Sequence, residues 1–268
     1  MKLRTSRILQ KIRDNQIATT LKINLADPRA IELAGLCGVD GVWLCQEHVP
    51  SDWATIENQV RAARTQNIDA LVRISKGGYS DYVRPLEAGA AGIIVPHVES
   101  AEEACQIVEW TRFLPLGKRA LDGGNIDGHF CIEPVEDYLR NSNEERIIIL
   151  QIESPEALEQ VEAIAAVPGF NAFLFGPGDF SHRIGKVGQL ADPEVIAARQ
   201  RVAAAARANG KFLIASGRYA PLDDLVSEGV RVINIGADVV GISSYVQAGL
   251  KTLQGDLAEL PENIRPSL

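Results

Sequence analysis

The chain has 268 residues, 46% of them hydrophobic and 23% charged, which suits one α/β barrel or two smaller units. A formal net charge of −8 argues against a general affinity for nucleic acid or an anionic membrane. No apolar run approaches the roughly 20 residues that span a bilayer, and Cys37, Cys45, Cys105 and Cys131 form no C-x-x-C pair, so a soluble cytoplasmic protein with free thiols is expected.

The basic N-terminus lacks a signal-peptide core and reads as a short amphipathic helix carrying Leu3, Ile8, Leu9 and Ile12. Eight strand-then-helix units follow. Strands are predicted at Ile17–Ile23, Gly41–Leu44, Ala70–Ile74, Gly92–Val95, Ile147–Ile152, Ala172–Phe175, Phe212–Ala215 and Val232–Gly236. Helices are predicted at Pro28–Leu36, Trp53–Arg64, Tyr82–Ala88, Ala101–Thr111, Pro155–Val167, Pro193–Ala208, Pro221–Glu228 and Ile242–Leu257. The strands are short, continuous and rich in Val, Ile and Leu, as strands covered on both faces should be. The helices are amphipathic. In Pro193–Ala208, for example, Glu194, Arg199, Arg201 and Arg207 oppose Val195, Ile196, Val202 and Ala205.

Eight such units in about 250 residues predict a single (β/α)8 barrel over residues 1–268, with 1–15 as a helical extension. An open doubly wound sheet usually carries a Gly-rich fingerprint after its first strand, and Asn24-Leu25-Ala26-Asp27 is not one. The longest irregular stretch, 113–132, contains Gly117, Gly123, Gly124 and Gly128 and is expected to act as a lid or binding loop near the site.

In such a barrel the site lies at the C-terminal ends of the strands. Those ends supply Cys45-Gln46-Glu47-His48, Arg73, Pro96-His97, Gln151, Glu153, Asp179 and Ser216-Gly217-Arg218. Strand, helix and strand in succession bring Glu153 and Asp179 to the same end of the sheet. Two acids side by side above apolar strands call for a positive partner, and a divalent metal is the simplest one. The alternative is that Glu153 caps the next helix and Asp179, in the loop Gly176-Pro177-Gly178-Asp179, is a turn residue.

His48 is the candidate general base or acid; a solvated loop histidine is its bland alternative. Arg73, inside an apolar run, needs an acid. A bound carboxylate would serve, and so would Glu47 or Glu87. Glu47 and Glu87 could equally orient His48. A lone histidine at a strand end such as His97 is more often simply packed. The amides of Gly176–Asp179 offer an anion site, and Arg218 could touch the distal end of a substrate. No strand-end lysine is seen for a Schiff base.

Glu47-His48-Val49-Pro50, Val72-Arg73, Leu86-Glu87-Ala88-Gly89, Ile94-Val95-Pro96, Gly117-Lys118-Arg119, Gln151-Ile152-Glu153 and Gly176-Pro177-Gly178-Asp179-Phe180-Ser181 stand in an order that resembles the HpcH/HpaI aldolase/citrate lyase family. The resemblance runs from about Ile17 to Leu250. It implies a class II aldolase that cleaves a 4-hydroxy-2-oxo acid to pyruvate, or a related 2-oxo acid, and an aldehyde through a metal-stabilised enolate. It implies a divalent Mg, Mn or Co held by Glu153 and Asp179, with Arg73 on the keto oxygen. His48, paired with Glu87, would move the proton. The substrate-binding set would be Arg73, Gln151, Gly176, Pro177, Gly178, Asp179, Ser216 and Arg218. The family also implies a homo-oligomer, a hexamer built from dimers that exchange C-terminal helices.

Three alternatives stay open: decarboxylation, CoA-thioester cleavage, for which no basic cluster is evident, and a ligand-binding barrel with lost turnover. Cys45 stands where the family has Asp, Glu87 where it commonly has Asp, and Ala120 where it has Gly, while Lys76-Gly77-Gly78-Tyr79 is atypical. These departures leave the metal and enolate residues in place and leave the aldehyde partner open.

Overall fold

The computed structural model describes residues 3–217, 219–264 and 266, so Arg218 lies outside the described residues. Eight strands pair in parallel and in sequence order, and the last closes on the first. They are β1 (Ala18–Ile23), β2 (Gly41–Cys45), β3 (Asp69–Arg73), β4 (Gly92–Val95), β5 (Ile147–Ile152), β6 (Ala172–Phe175), β7 (Phe212–Ala215) and β8 (Val230–Ala237). This is the predicted (β/α)8 barrel.

Alternation along each strand sorts the apolar residues into two layers. Val42, Leu44, Ile148 and Leu150 pack outward against the helices. Trp43, Leu71, Ile94, Ile149 and Leu174 fill the interior. At Gly92 a Cβ would stand 2.2 Å from the Ile147 carbonyl oxygen, so the closeness of β4 to β5 requires glycine there.

The barrel floor is closed by helix α1 (Arg7–Arg13), whose Ile8 and Leu9 are buried among the interior residues. Two buried acids hold it in place. Asp69 accepts hydrogen bonds from Ser6 Oγ (2.6 Å) and the Ile8 amide (2.9 Å). Asp40 faces Arg7 at 2.9 Å and Lys11 at 2.8 Å. The chemistry is thereby left to the opposite rim.

Helices α2 (Pro28–Leu36), α3 (Trp53–Thr65), α4 (Tyr79–Glu87) and α5 (Ala101–Thr111) lead to an unpredicted one, α6 (Val135–Glu145). The face α6 buries is Tyr138, Ser142 and Glu145, which gives almost no apolar periodicity. The predicted helix 155–167 divides at Gln160 into α7 (Pro155–Glu159) and α8 (Val161–Ala166). Helices α9 (Pro177–Arg183), α10 (Pro193–Ala208), α11 (Leu222–Ser227) and α12 (Asp238–Glu259) complete the order. On α10 Arg199 is buried rather than on the polar face, because Glu228 meets its guanidinium at 2.9 Å.

The 113–132 stretch is anchored through a buried ion-pair network. Asp127, fully buried, meets Arg146 at 2.6 Å and Arg119 at 3.1 Å, which ties the loop to the residue just before β5. Burial opposes the charge of Asp127, yet Arg146 and Arg119 together pull its carboxyl below the usual range. Replacing Asp127 by Ala strands two buried guanidinium groups and is expected to cost about 3–5 kcal/mol of stability. Urea unfolding followed by circular dichroism measures this, and an unchanged midpoint would show the network to be dispensable.

Candidate active site

The inward alternation that builds the core continues past the last apolar residue of each strand. After Trp43 the next inward position is Cys45, after Leu71 it is Arg73, and after Ile149 come Gln151 and Glu153. After Leu174 it is Gly176. The polar residues therefore meet at the barrel mouth because their strands are in register, with no special loop needed.

Arg73 is 5% exposed, stacked 4.9 Å from the Trp43 ring centroid. Its Nε lies 2.9 Å from Glu47 Oε2 and its Nη2 donates to Cys45 Sγ at 3.1 Å. Cys45 Sγ also accepts from the His48 amide at 3.4 Å, which fixes the turn after β2. The sequence left Arg73 a choice of Glu47, Glu87 or a bound carboxylate; the structure pairs it with Glu47.

Glu153 is 1% exposed. Gln151 donates to its Oε2, and the His97 amide donates to its Oε1 at 2.9 Å. Burial pushes its carboxyl up; these two hydrogen bonds and the charge of His97 oppose that rise, and the negative charge of Asp179 adds to it. Gly176 permits the crowding: a Cβ there would stand 2.9 Å from Glu153 Cβ and 3.0 Å from its Oε2. Asp179 is not in a loop but in the first turn of α9, exposed toward the mouth, with Pro177 and Gly178 opening the helix beside it.

His97 carries more than the packing role expected of it. Its Nε2 lies 2.9 Å from Glu47 Oε1 and its Nδ1 3.0 Å from Glu153 Oε1. A backbone φ of +52° breaks the strand's alternation and turns the side chain into the mouth. Neither the charge pattern nor the strand period encodes that torsion, so sequence reasoning passed it over.

Other predicted residues fall less centrally. His48 is 60% exposed, its Nε2 3.7 Å from Glu47 Oε2. Glu87 does not reach His48 within the chain. It ends α4, which runs antiparallel to the strands, and it faces Arg119 at 3.9 Å. Burial, only partly offset by Arg119, pushes the Glu87 carboxyl up. Ser216 is half-buried just beyond β7. A strand-end lysine does exist: Lys22, opposite Trp43 in the β1–β2 register, has its Nζ 5.7 Å from that ring's centroid. A lysine one residue before a strand end looks like a surface residue until its register partner is known.

The donors suit a hard divalent cation. Glu153 and Asp179 supply carboxylates, and the buried Gln151 Oε1 has no hydrogen-bond partner. Among the described residues no three acid, imidazole or thiol groups already stand together in ligand geometry.

The family model described as HpcH/HpaI aldolase/citrate lyase matches residues 19–243. A 5-keto-4-deoxy-D-glucarate aldolase from Klebsiella pneumoniae is 34% identical over 220 residues, covering 82% of this chain and 83% of the relative. Among solved structures, an HpcH/HpaI aldolase from Desulfitobacterium hafniense superposes with a TM-score of 0.86 at 28% identity, over 95% of this chain and 97% of that one. The citrate synthase SbnG superposes with a TM-score of 0.85 at 28% identity, over 95% of this chain and 99% of that one.

Proposed function

The chain belongs to the HpcH/HpaI aldolase/citrate lyase family, and from that premise we propose a class II, metal-dependent aldolase that cleaves a 4-hydroxy-2-oxo acid to pyruvate and an aldehyde. The observation that carries this reading is the convergence of Glu153, Gln151, Arg73 and Glu47 at one end of a closed barrel. Glu153 and Asp179 would hold the divalent ion, for which Mg, Mn and Co are the candidates. Bound there, the ion would act as a Lewis acid on the 2-oxo acid.

The residues of the chain divide the remaining work. As the C3–C4 bond breaks, its electron pair moves onto C3 and the keto oxygen, and Arg73 stabilises the charge that develops on that oxygen. The guanidinium is already held on two of its nitrogens, so little reorganisation is required at that moment. His48 takes the C4 hydroxyl proton as the aldehyde leaves, and the acid within its reach is Glu47 rather than Glu87. Protonation at C3 then completes pyruvate. Pro177, Gly178, Ser216 and Arg218 are assigned to the substrate's surroundings.

The same reading places the protein in the cytoplasm as a homo-oligomer. Helix α12 buries none of its residues and leaves Val240, Ile242, Tyr245 and Val246 exposed, a face that a second copy would cover. No described helix is long and apolar enough to cross a membrane.

The test is pyruvate release from 5-keto-4-deoxy-D-glucarate and simpler 4-hydroxy-2-oxo acids, before and after chelator treatment and metal return. Activity should vanish on stripping and return with the ion, and borohydride added with pyruvate should leave no adduct on Lys22 by intact mass. Unimpaired turnover in stripped protein, or a trapped Lys22 adduct, would move the chemistry to a Schiff base.

A further inference from the structure

We propose that His97 Nδ1 is a third protein ligand of the divalent ion, which makes this centre a mixed nitrogen and oxygen site rather than one of carboxylates alone. The inference rests on the metal-dependent reading above and adds to it a residue of this chain that the reading does not use.

Three observations carry it. Nδ1 is buried, has no hydrogen-bond partner, and lies 3.0 Å from Glu153 Oε1. Two donors on adjacent octahedral positions of an ion with bonds of about 2.1 Å stand about 3 Å apart. The two atoms therefore already have the spacing of neighbouring ligands. The other ring nitrogen, Nε2, lies 2.9 Å from Glu47 Oε1. A carboxylate on the far nitrogen is what orients a metal-bound imidazole and fixes the tautomer whose lone pair points at the ion. Finally, the backbone is committed to the arrangement. His97 holds φ at +52°, its carbonyl accepts from Lys76 Nζ, and the Val98 amide bonds the Gln151 carbonyl at 3.3 Å. Glu153 keeps lone pairs to spare, since one oxygen takes the His97 amide and the other the Gln151 amide. Asp179, exposed on the first turn of α9, completes the set by turning inward.

An imidazole ligand shifts preference from magnesium toward the later first-row ions. The experiment uses the full chain loaded with Mn(II), titrated by electron paramagnetic resonance, with electron spin-echo modulation recorded for directly bound nitrogen. Parent protein should show coupling to one imidazole nitrogen. His97→Ala should lose that coupling and bind Mn(II) more weakly by at least about tenfold. Glu47→Gln should keep the coupling and weaken binding by about tenfold, as loss of an orienting partner does. The ratio of cobalt to magnesium affinity should fall in His97→Ala.

Manganese bound with no nitrogen coupling in the parent protein, or with coupling and affinity unchanged in His97→Ala, would overturn the proposal and leave the aldolase reading standing. A parent protein that binds no manganese at all would overturn both.

Discussion

Removing either acid of the proposed metal pair should nearly abolish turnover: Glu153→Ala or Asp179→Ala is expected to lower kcat/KM by on the order of a thousandfold, as loss of several kcal/mol of charge stabilisation implies. The two substitutions should differ in what they do to the fold. Asp179 is exposed on a helix turn, so its loss should leave stability nearly unchanged. Glu153 is buried, and burial holds its carboxyl above the ordinary range. An acid harder to ionise in the folded than in the unfolded state lowers stability as pH rises from the ordinary glutamate range through its own raised value. Metal-free parent protein should therefore lose stability across that window, and Glu153→Gln should not. An inactive Glu153→Gln variant that melts no lower than the parent at pH 7 would mark the acid as kept for function against stability. Full activity in Glu153→Ala or Asp179→Ala would remove the metal pair from the mechanism.

The barrel was legible because its information is local and repeated. Runs such as Ile147–Ile152 and Gly92–Val95 have the length and composition of doubly covered strands, and both end where the sequence placed them. The identity of the rim residues followed from those ends. What stayed hidden depends on torsions and on partners distant in the chain. Helix α6 was missed because Glu145 and Ser142 are buried by pairing, with the Ser6 amide on Glu145 at 2.7 Å and Arg119 on Ser142 at 3.2 Å. No apolar period announces a helix whose buried face is polar. The roles of His97 and Glu47 were underweighted for a related reason. Glu47 lies past the end of β2, and only the closed barrel shows that its two oxygens face Arg73 on one side and His97 on the other. The assignment of Glu87 to His48 came from the family pattern, and the antiparallel course of α4 within the chain does not satisfy it.

Arg73→Lys should lose turnover by about 10²–10³-fold in kcat, the range found when one donor to a developing oxyanion is removed. Net charge is unchanged, so the loss would measure geometry. The guanidinium spends Nε on Glu47 and Nη2 on Cys45 while its face rests on Trp43. Among the described residues no hydrogen bond or ion pair involves Nη1, which would remain for the substrate. A lysine has a single nitrogen to divide among these demands. Glu47, a full negative charge 2.9 Å from Nε, would capture it and draw it off the keto oxygen. Cys45 sharpens the effect, because a sulfur is a weak acceptor where a carboxylate would grip the cation from the other side. Arg73→Lys paired with Cys45→Asp should therefore recover part of the lost rate, since a second acid would balance the pull of Glu47. Steady-state kinetics on the single and double variants decides it. Unchanged kcat in Arg73→Lys would take the guanidinium out of the reaction, and an additive loss in the double variant would show that the fork itself, not the placement of its charge, is what the keto oxygen requires.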